Sequence, residues 1–354
     1  MNKIDLPLFP CIRKMFKVLA IGDPHFKVKN SRDTNLLTEN VVRVIKEKDP
    51  DLVVILGDIL DRHELIHQDP LKRITIFLEK ITTLKPTILL VGNHDRPNNS
   101  IFLTDDHPFH AFNKWNNLTV VDKPLFKKYK NFSFTFVPYV EPGRFIEALN
   151  LLEEKWESST AIFAHQEIKD VKMGHFVSTK GDNWPSSYPL LISGHIHEYS
   201  KTNNVIYVGT PYQQAFDESP DKAISLFTFE GKGYEEERIK VNGLPKITIK
   251  IKVNEIDKLE VKEDQETKLI IIGCNEDLKT IKKNSKIKEL IAKGIKVHYE
   301  EEMLIDTTFK IEKKEKTSFI SVLEKLVKEE KELLQVFQEV YGRKTVKKFT
   351  IISK

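Results

Sequence analysis

Five short, largely apolar runs recur along the first two-thirds of the chain: Phe16 to Ile21, Leu52 to Leu56, Thr87 to Val91, Ala161 to Ala164 and Leu190 to Ile192. They are rich in Val, Ile and Leu and too short for ordinary helices, so they predict strands buried on both faces, as in a parallel sheet. Between them, apolar residues fall at helical spacing. Leu36, Leu37, Val41, Val44 and Ile45 predict a helix over Asp33 to Lys48, stopped by Asp49-Pro50, and a second helix is expected from Pro70 to Leu84. Residues 118–140 read as antiparallel β structure, with Phe132 to Val137 alternating in character, and a helix is expected near Pro142 to Trp156. From Arg96 to Trp115 the pattern is weak, a loop with a short helix around Phe109 to Trp115. Strands Val205 to Val208 and Ile224 to Phe229 close this α/β domain.

The pattern changes around Gly231 to Pro245. Strands at Ile247 to Val253, Lys268 to Ile272 and Ile295 to Tyr299, with a helix over Asn275 to Lys293, predict a small α+β domain. Ser318 to Tyr341 carries Phe319, Leu323, Leu326, Leu333, Leu334 and Phe337 between charges, the spacing of an amphipathic helix. The expected organisation is a leader over 1–15, a large domain over 16–240, a small domain over 241–310 and a helical segment over 311–354.

Composition narrows this reading. Of 354 residues, 40% are apolar and 31% charged, the balance of a globular protein. Two cysteines, Cys11 and Cys274, are too few for a disulfide framework or a thiolate zinc site and point to a reducing compartment. No apolar run is long enough for a membrane span, and the first residues lack a secretory core, so a non-secreted protein of the cytoplasm, nucleus or nucleoid is expected. The formal charge is only +4, but the basic excess lies beyond Lys246. That excess suits an anionic partner as well as it suits a lysine-rich solvated surface.

The chemistry sits at the strand ends. Asp23 and His25, Asp58, Asn93 and His94, His165, and His195 and His197 each follow an apolar run. Open α/β sheets bind ligands at that rim. A single histidine after a strand is usually structural or exposed, and His63, His67, His107, His110, His175 and His298 take that reading. The others recur with one grammar. Leaving out His94, seven oxygen and nitrogen donors exceed the needs of one ion and suit two, with a bridging carboxylate.

The ordered set Asp23-Pro24-His25, Gly57-Asp58-Ile59-Leu60-Asp61, Gly92-Asn93-His94-Asp95, His165 and Gly194-His195-Ile196-His197 resembles the calcineurin-like metallophosphoesterases. The resemblance implies two packed mixed sheets flanked by helices. It implies one ion held by Asp23, His25, Asp58 and His197, and a second by Asp58, Asn93, His165 and His195. His94 matches the family's catalytic histidine, and Asp61 would orient it. With Gly209-Thr210-Pro211-Tyr212, the small domain and the last helix, the chain looks most like the Mre11/SbcD nuclease subunits, including their phage and viral relatives. That likeness implies Mn²⁺-dependent cleavage of DNA in double-strand-break repair, the α+β domain as a cap, homodimerisation, and a Rad50/SbcC-like coiled-coil ATPase on the C-terminal helix. Dimerisation would use the Ile74, Phe77, Ile81 and Leu84 stripe unless that stripe faces the core. Lys27, Lys29, Arg32 and Arg96 are the expected DNA contacts. Many cellular members carry histidine where this chain has Asp61. Asp61-Arg62 is also similar to the protein phosphatases, so a phosphatase or phosphodiesterase acting on small nucleotides or phosphoproteins is the alternative, and a non-catalytic scaffold a third.

Overall fold

A computed structural model describes residues 15–63, 65–173 and 176–302. The expected leader, Cys11, His175 and the helix expected over Ser318 to Tyr341 lie outside the described residues. The chain opens with β1 (Met15–Ile21), α1 (Ser31–Lys48), β2 (Leu52–Ile55), α2 (Gln68–Thr82), β3 (Thr87–Leu90) and β4 (Leu118–Val121). It continues with β5 (Leu125–Tyr129), β6 (Phe132–Val137), α3 (Phe145–Leu149), β7 (Ala161–Ala164), a small ribbon of β8 (Lys172–Met173) and β9 (Phe176–Val177), and β10 (Leu190–Ser193). Then come β11 (Ser200–Thr202), β12 (Val205–Tyr207), β13 (Ile224–Glu230) and β14 (Gly233–Ile239).

These strands form two six-stranded mixed sheets, ordered β14-β13-β1-β2-β3-β4 and β11-β12-β10-β7-β6-β5. Strands β1 to β4 are parallel, as are β6, β7, β10 and β12, so their C-terminal ends gather at common rims. The apolar runs are continuous because each strand is buried on both faces. In β1, Val18 and Ala20 join Phe134, Phe136 and Phe163 of the second sheet, between the layers. Leu19 and Ile21 instead join Leu37, Val41 and Val44 of α1 and Ile74, Phe77 and Ile81 of α2. The outer face of the second sheet is covered by Phe145, Trp156 and Trp184.

Four expectations change. Residues 118–140 are not one antiparallel unit: β4 pairs parallel with β3 in the first sheet, while β5 and β6 form a hairpin in the second. The helix expected over Pro142 to Trp156 is reduced to α3 and a 3-10 turn at Trp156–Ser158. Its apolar residues are gathered by the Trp184 cluster rather than by a helical face. Of the stripe Ile74, Phe77, Ile81 and Leu84, the first three are fully buried in the chain's own core and Leu84 alone is exposed, which removes the stripe as a dimer surface. The single helix over Asn275 to Lys293 is two.

The small domain has a parallel sheet of β15 (Lys246–Lys252), β16 (Glu266–Gly273) and β17 (Lys296–Glu301), with α4 (Asn275–Ile281) and α5 (Ser285–Ala292). The helix breaks because Asn284 caps α5, its side chain accepting from the Lys286 N–H. Leu269, Ile271, Leu278, Ile287 and Leu290 give the domain its own core. Buried charges tie it to the larger domain. The Lys246 ammonium lies 3.3 Å from Asp33 and 3.0 Å from Glu266, and Asp33 also accepts the Leu244 N–H at 3.2 Å. Among the described residues, no helix is long and apolar enough to cross a membrane.

Candidate active site

The strand ends turn sharply. Asp23, His25, Asp58 and His195 all have positive φ, 32°, 43°, 48° and 80°, and Gly57 has 98°. Non-glycine residues hold such angles only where the surroundings impose them, and these conformations cluster at functional sites. Gly92 is required for a different reason. A Cβ there would collide with the backbone nitrogen and carboxylate of Asp58.

Two donor sets result. In the first, Nε2 of His25 and Nε2 of His197 face each other at 3.2 Å, and His25 Nε2 is 3.8 Å from Asp58 Oδ2. In the second, Asn93 Oδ1 lies 2.9 Å from His165 Nε2 and 3.0 Å from His195 Nδ1, while Asp58 Oδ1 is 3.4 Å from His165 Nε2. Asp58 thus turns one oxygen to each set. Backbone and carboxylate acceptors fix the tautomers: His25 Nδ1 donates to the Leu60 carbonyl (3.1 Å), His165 Nδ1 to that of Leu56 (2.7 Å), and His197 Nδ1 to Glu218 (3.2 Å). Each of these rings therefore turns Nε2 inward, where it can serve as a ligand atom.

Lone pairs held against lone pairs need a cation. The 3.2 Å approach of His25 to His197 carries no hydrogen to share once both outer nitrogens donate, and His165 Nε2 and His195 Nδ1 converge at 3.3 Å beside it. Asp23 Oδ2 is buried without a hydrogen-bond partner among the described residues. Asp58, His165 and His195 place ligand atoms within 4.8 Å of one another. The donor set fits divalent ions bound by nitrogen and oxygen.

Electrostatics agree. Burial opposes charge on His165, yet Asp58 and Asp23 hold its pKa up at about 9. Asp58 is burial-penalised too, but His165 drives it well below the ordinary carboxylate range. Burial, with Asp58 adding repulsion, pushes Asp23 up to about 6. His25 and His195 fall to about 3, mainly through burial, so both are neutral donors. Without an ion the proton kept by His165 sits on its Nε2, facing Asn93 and Asp58, and a bound cation would take its place.

His94 stands beside this cluster, its Nε2 3.9 Å from Asp58 Oδ2. Its orientation corrects the sequence expectation. Nδ1 donates to the main-chain carbonyl of Asp61 at 2.9 Å, not to its carboxylate, which is 3.1 Å from the Lys27 ammonium. Arg96 is likewise corrected. It is buried, and its guanidinium bonds the carbonyls of Tyr139 (2.8 Å) and Ile101, so it clamps a loop and is closed to DNA. Lys29 and Arg32 are exposed, and Lys27 is half-buried.

Three residues escaped sequence reasoning. Glu218 fixes His197 and is itself 3.2 Å from Lys222; burial opposes its charge, but the His197 contact lowers its pKa to about 2. Asp95 accepts the N–H groups of Gly92 (2.9 Å) and Leu60 (2.9 Å), joining the second and third loops. Its place after His94 was the only available signal. His63 stacks on His94, with centroids 5.0 Å apart and planes at 13°, and its Nδ1 donates to the Arg96 carbonyl at 3.0 Å.

Comparison with known proteins matches this geometry. The family described as Calcineurin-like phosphoesterase matches residues 16–203. The chain is 41% identical over 278 residues to "Putative phosphoesterase 244L" of Invertebrate iridescent virus 6, spanning 76% of this chain and 98% of that one. It is 38% identical over 290 residues to "Putative phosphoesterase 078R" of Invertebrate iridescent virus 3, spanning 80% and 83%. It is 21% identical over 290 residues to "Exonuclease subunit 1" of Enterobacteria phage T4, spanning 72% and 82%. The donor set is complete, as a metal-dependent phosphoester hydrolase requires. Two opposed sheets that bring every one of these donors to a single rim, in the order of the sequence motifs, place the chain in the calcineurin-like phosphoesterase family.

Proposed function

We propose that the protein is a DNA nuclease subunit of the Mre11/SbcD type, hydrolysing phosphodiesters with two divalent ions, Mn²⁺ in the first place. The observation that carries this reading is an open cleft next to the active-site loops, between the two domains. A cavity of about 440 Å³, bordered by Lys27, Lys29, Lys268 and Lys296, adjoins one of about 880 Å³, with Lys29, Phe216, Glu266 and Lys296 common to both. A groove of that extent beside the chemistry suits a polymer better than a small monoester. The similarity to a phage exonuclease subunit supports the same substrate.

Bound between the two donor sets, the ions would activate water and neutralise charge at phosphorus. The chain's own residues supply the rest. With Nδ1–H on the Asp61 carbonyl, His94 keeps Nε2 for the substrate. The water oxygen bonds to phosphorus and releases a proton to solvent, the P–O3′ bond breaks, and the protonated Nε2 of His94 passes its proton to O3′ and is reprotonated from solvent. A 5′-phosphate and a 3′-hydroxyl result.

The test is hydrolysis with Mn²⁺ of single-stranded and hairpin-ended DNA beside a small aryl phosphodiester. Cleavage of both classes, with salt-sensitive DNA binding, is expected. Turnover of the aryl ester alone would overturn the nuclease reading in favour of a small-substrate phosphodiesterase or phosphatase, which the exposed Arg62 on the Asp61 loop would serve. His94→Ala is expected to abolish turnover and retain both ions. A Rad50/SbcC-like ATPase partner and a homodimer belong to the same proposal. Co-purification with such an ATPase, lost on deleting Ser318 to Lys354, tests the first, and sedimentation the second.

A further inference from the structure

The two cavities of the interdomain cleft meet at Phe216, Lys29, Glu266 and Lys296, and they differ in charge. The larger is mixed: it carries Glu260, Glu263 and Glu289, and Lys293 is spent on Glu289 at 2.7 Å. In the smaller, Lys246 is shared between Asp33 and Glu266, which leaves one carboxylate charge over, and Lys27 is held by Asp61. Lys29, Lys268 and Lys296 have no carboxylate partner among the described residues, and Asp217 and the charge left over at Lys246 offset these three ammonium groups only in part. The Lys296 ammonium lies 4.9 Å from the centre of the half-buried Phe216 ring. The floor is Tyr212, which receives a hydrogen bond from Asn30 and donates one to the Pro24 carbonyl, between Asp23 and His25. One wall of this pocket is therefore the back of a ligand-bearing loop.

We propose that this pocket is a single-strand subsite in which Phe216 stacks an unpaired base while Lys29, Lys268 and Lys296 neutralise the flanking phosphates. An aromatic face among free ammonium groups is the chemistry that holds unpaired polynucleotide: every base offers a stacking face, and a paired one does not expose it. The inference rests on the nuclease reading and narrows it to DNA whose bases are unpaired where the strand enters the active site.

The experiment uses the full chain and fluorescence anisotropy with an oligothymidine strand and a blunt duplex of equal length. Phe216→Ala is expected to weaken binding of the single strand about tenfold and of the duplex less than about twofold, with Phe216→Trp restoring the strand. Lys29→Ala, which sits on an exposed side chain, is expected to flatten the salt dependence of strand binding by about 0.7 in log–log slope. Equal losses for strand and duplex, or no loss with Phe216→Ala, overturn the subsite while leaving the nuclease reading in place. Absence of any DNA binding or cleavage, with the aryl phosphodiester still hydrolysed, overturns both.

Discussion

If the carbonyl of Asp61 is what orients His94, replacing its side chain should be nearly silent in the chemistry. Asp61→Asn keeps the main-chain oxygen that accepts the His94 Nδ1–H at 2.9 Å. It removes the pair with Lys27, a 3.1 Å contact between side chains 32% and 26% exposed. The carboxylate is also 3.9 Å from His25 Nδ1, but that nitrogen already donates to Leu60. A partly exposed pair of this kind contributes at most about 1 kcal/mol, so kcat should fall no more than about fivefold. By contrast, a carboxylate that holds a catalytic imidazole costs about 10⁴-fold when it becomes an amide. The assay is steady-state hydrolysis of an aryl phosphodiester in saturating Mn²⁺, with bound metal counted in the same samples. A fall in kcat beyond about 100-fold with both ions retained would mean that the carboxylate, not the carbonyl, governs His94 in the working enzyme.

Four further outcomes are expected. Asp58→Asn should weaken both ions together in metal titration, because its two oxygens face the two donor sets; loss of only one ion would refute the bridge. Glu218→Gln should weaken metal binding about 10- to 100-fold, since His197 loses its charged acceptor, and excess metal should restore activity. His63→Ala should lower kcat about 2- to 10-fold at unchanged KM, with His63→Phe recovering most of it by keeping the stack on His94. Lys246→Met should cost about 3–5 kcal/mol in urea denaturation by leaving Asp33 buried without its cation. Burial already raises the Asp33 pKa against the pull of Lys246. The folded protein thus binds that proton more readily than the unfolded chain, and the group's contribution is lost as pH rises through its folded pKa. The variant should accordingly be worst at neutral pH and recover on acidification.

Much of this was legible in one dimension. The runs ending at Ile21, Leu56, Val91, Ala164 and Ile192 are buried on both faces, and such strands announce themselves by unbroken apolarity. The small domain's three strands were equally plain, while its helix was not seen to break at Asn284, because capping depends on a local turn rather than on periodicity. Arg96 looked like a DNA contact because an arginine near a motif says nothing about which way it points. Only the loop it clamps reveals that its partners are carbonyls.

Which donors the chain carries, and that they lie at strand ends, can be read along the chain. Parallel strands share one rim, so an ordered list of Asp23, His25, Asp58, Asn93, His165, His195 and His197 at strand ends is already a site. Tertiary structure alone decided how they act: which Asp58 oxygen serves which set, that Glu218 backs His197, and that Asp61 reaches His94 through its backbone. Those choices are made by loop conformations with positive φ and by hydrogen bonds between distant segments, and neither leaves a periodic trace along the chain.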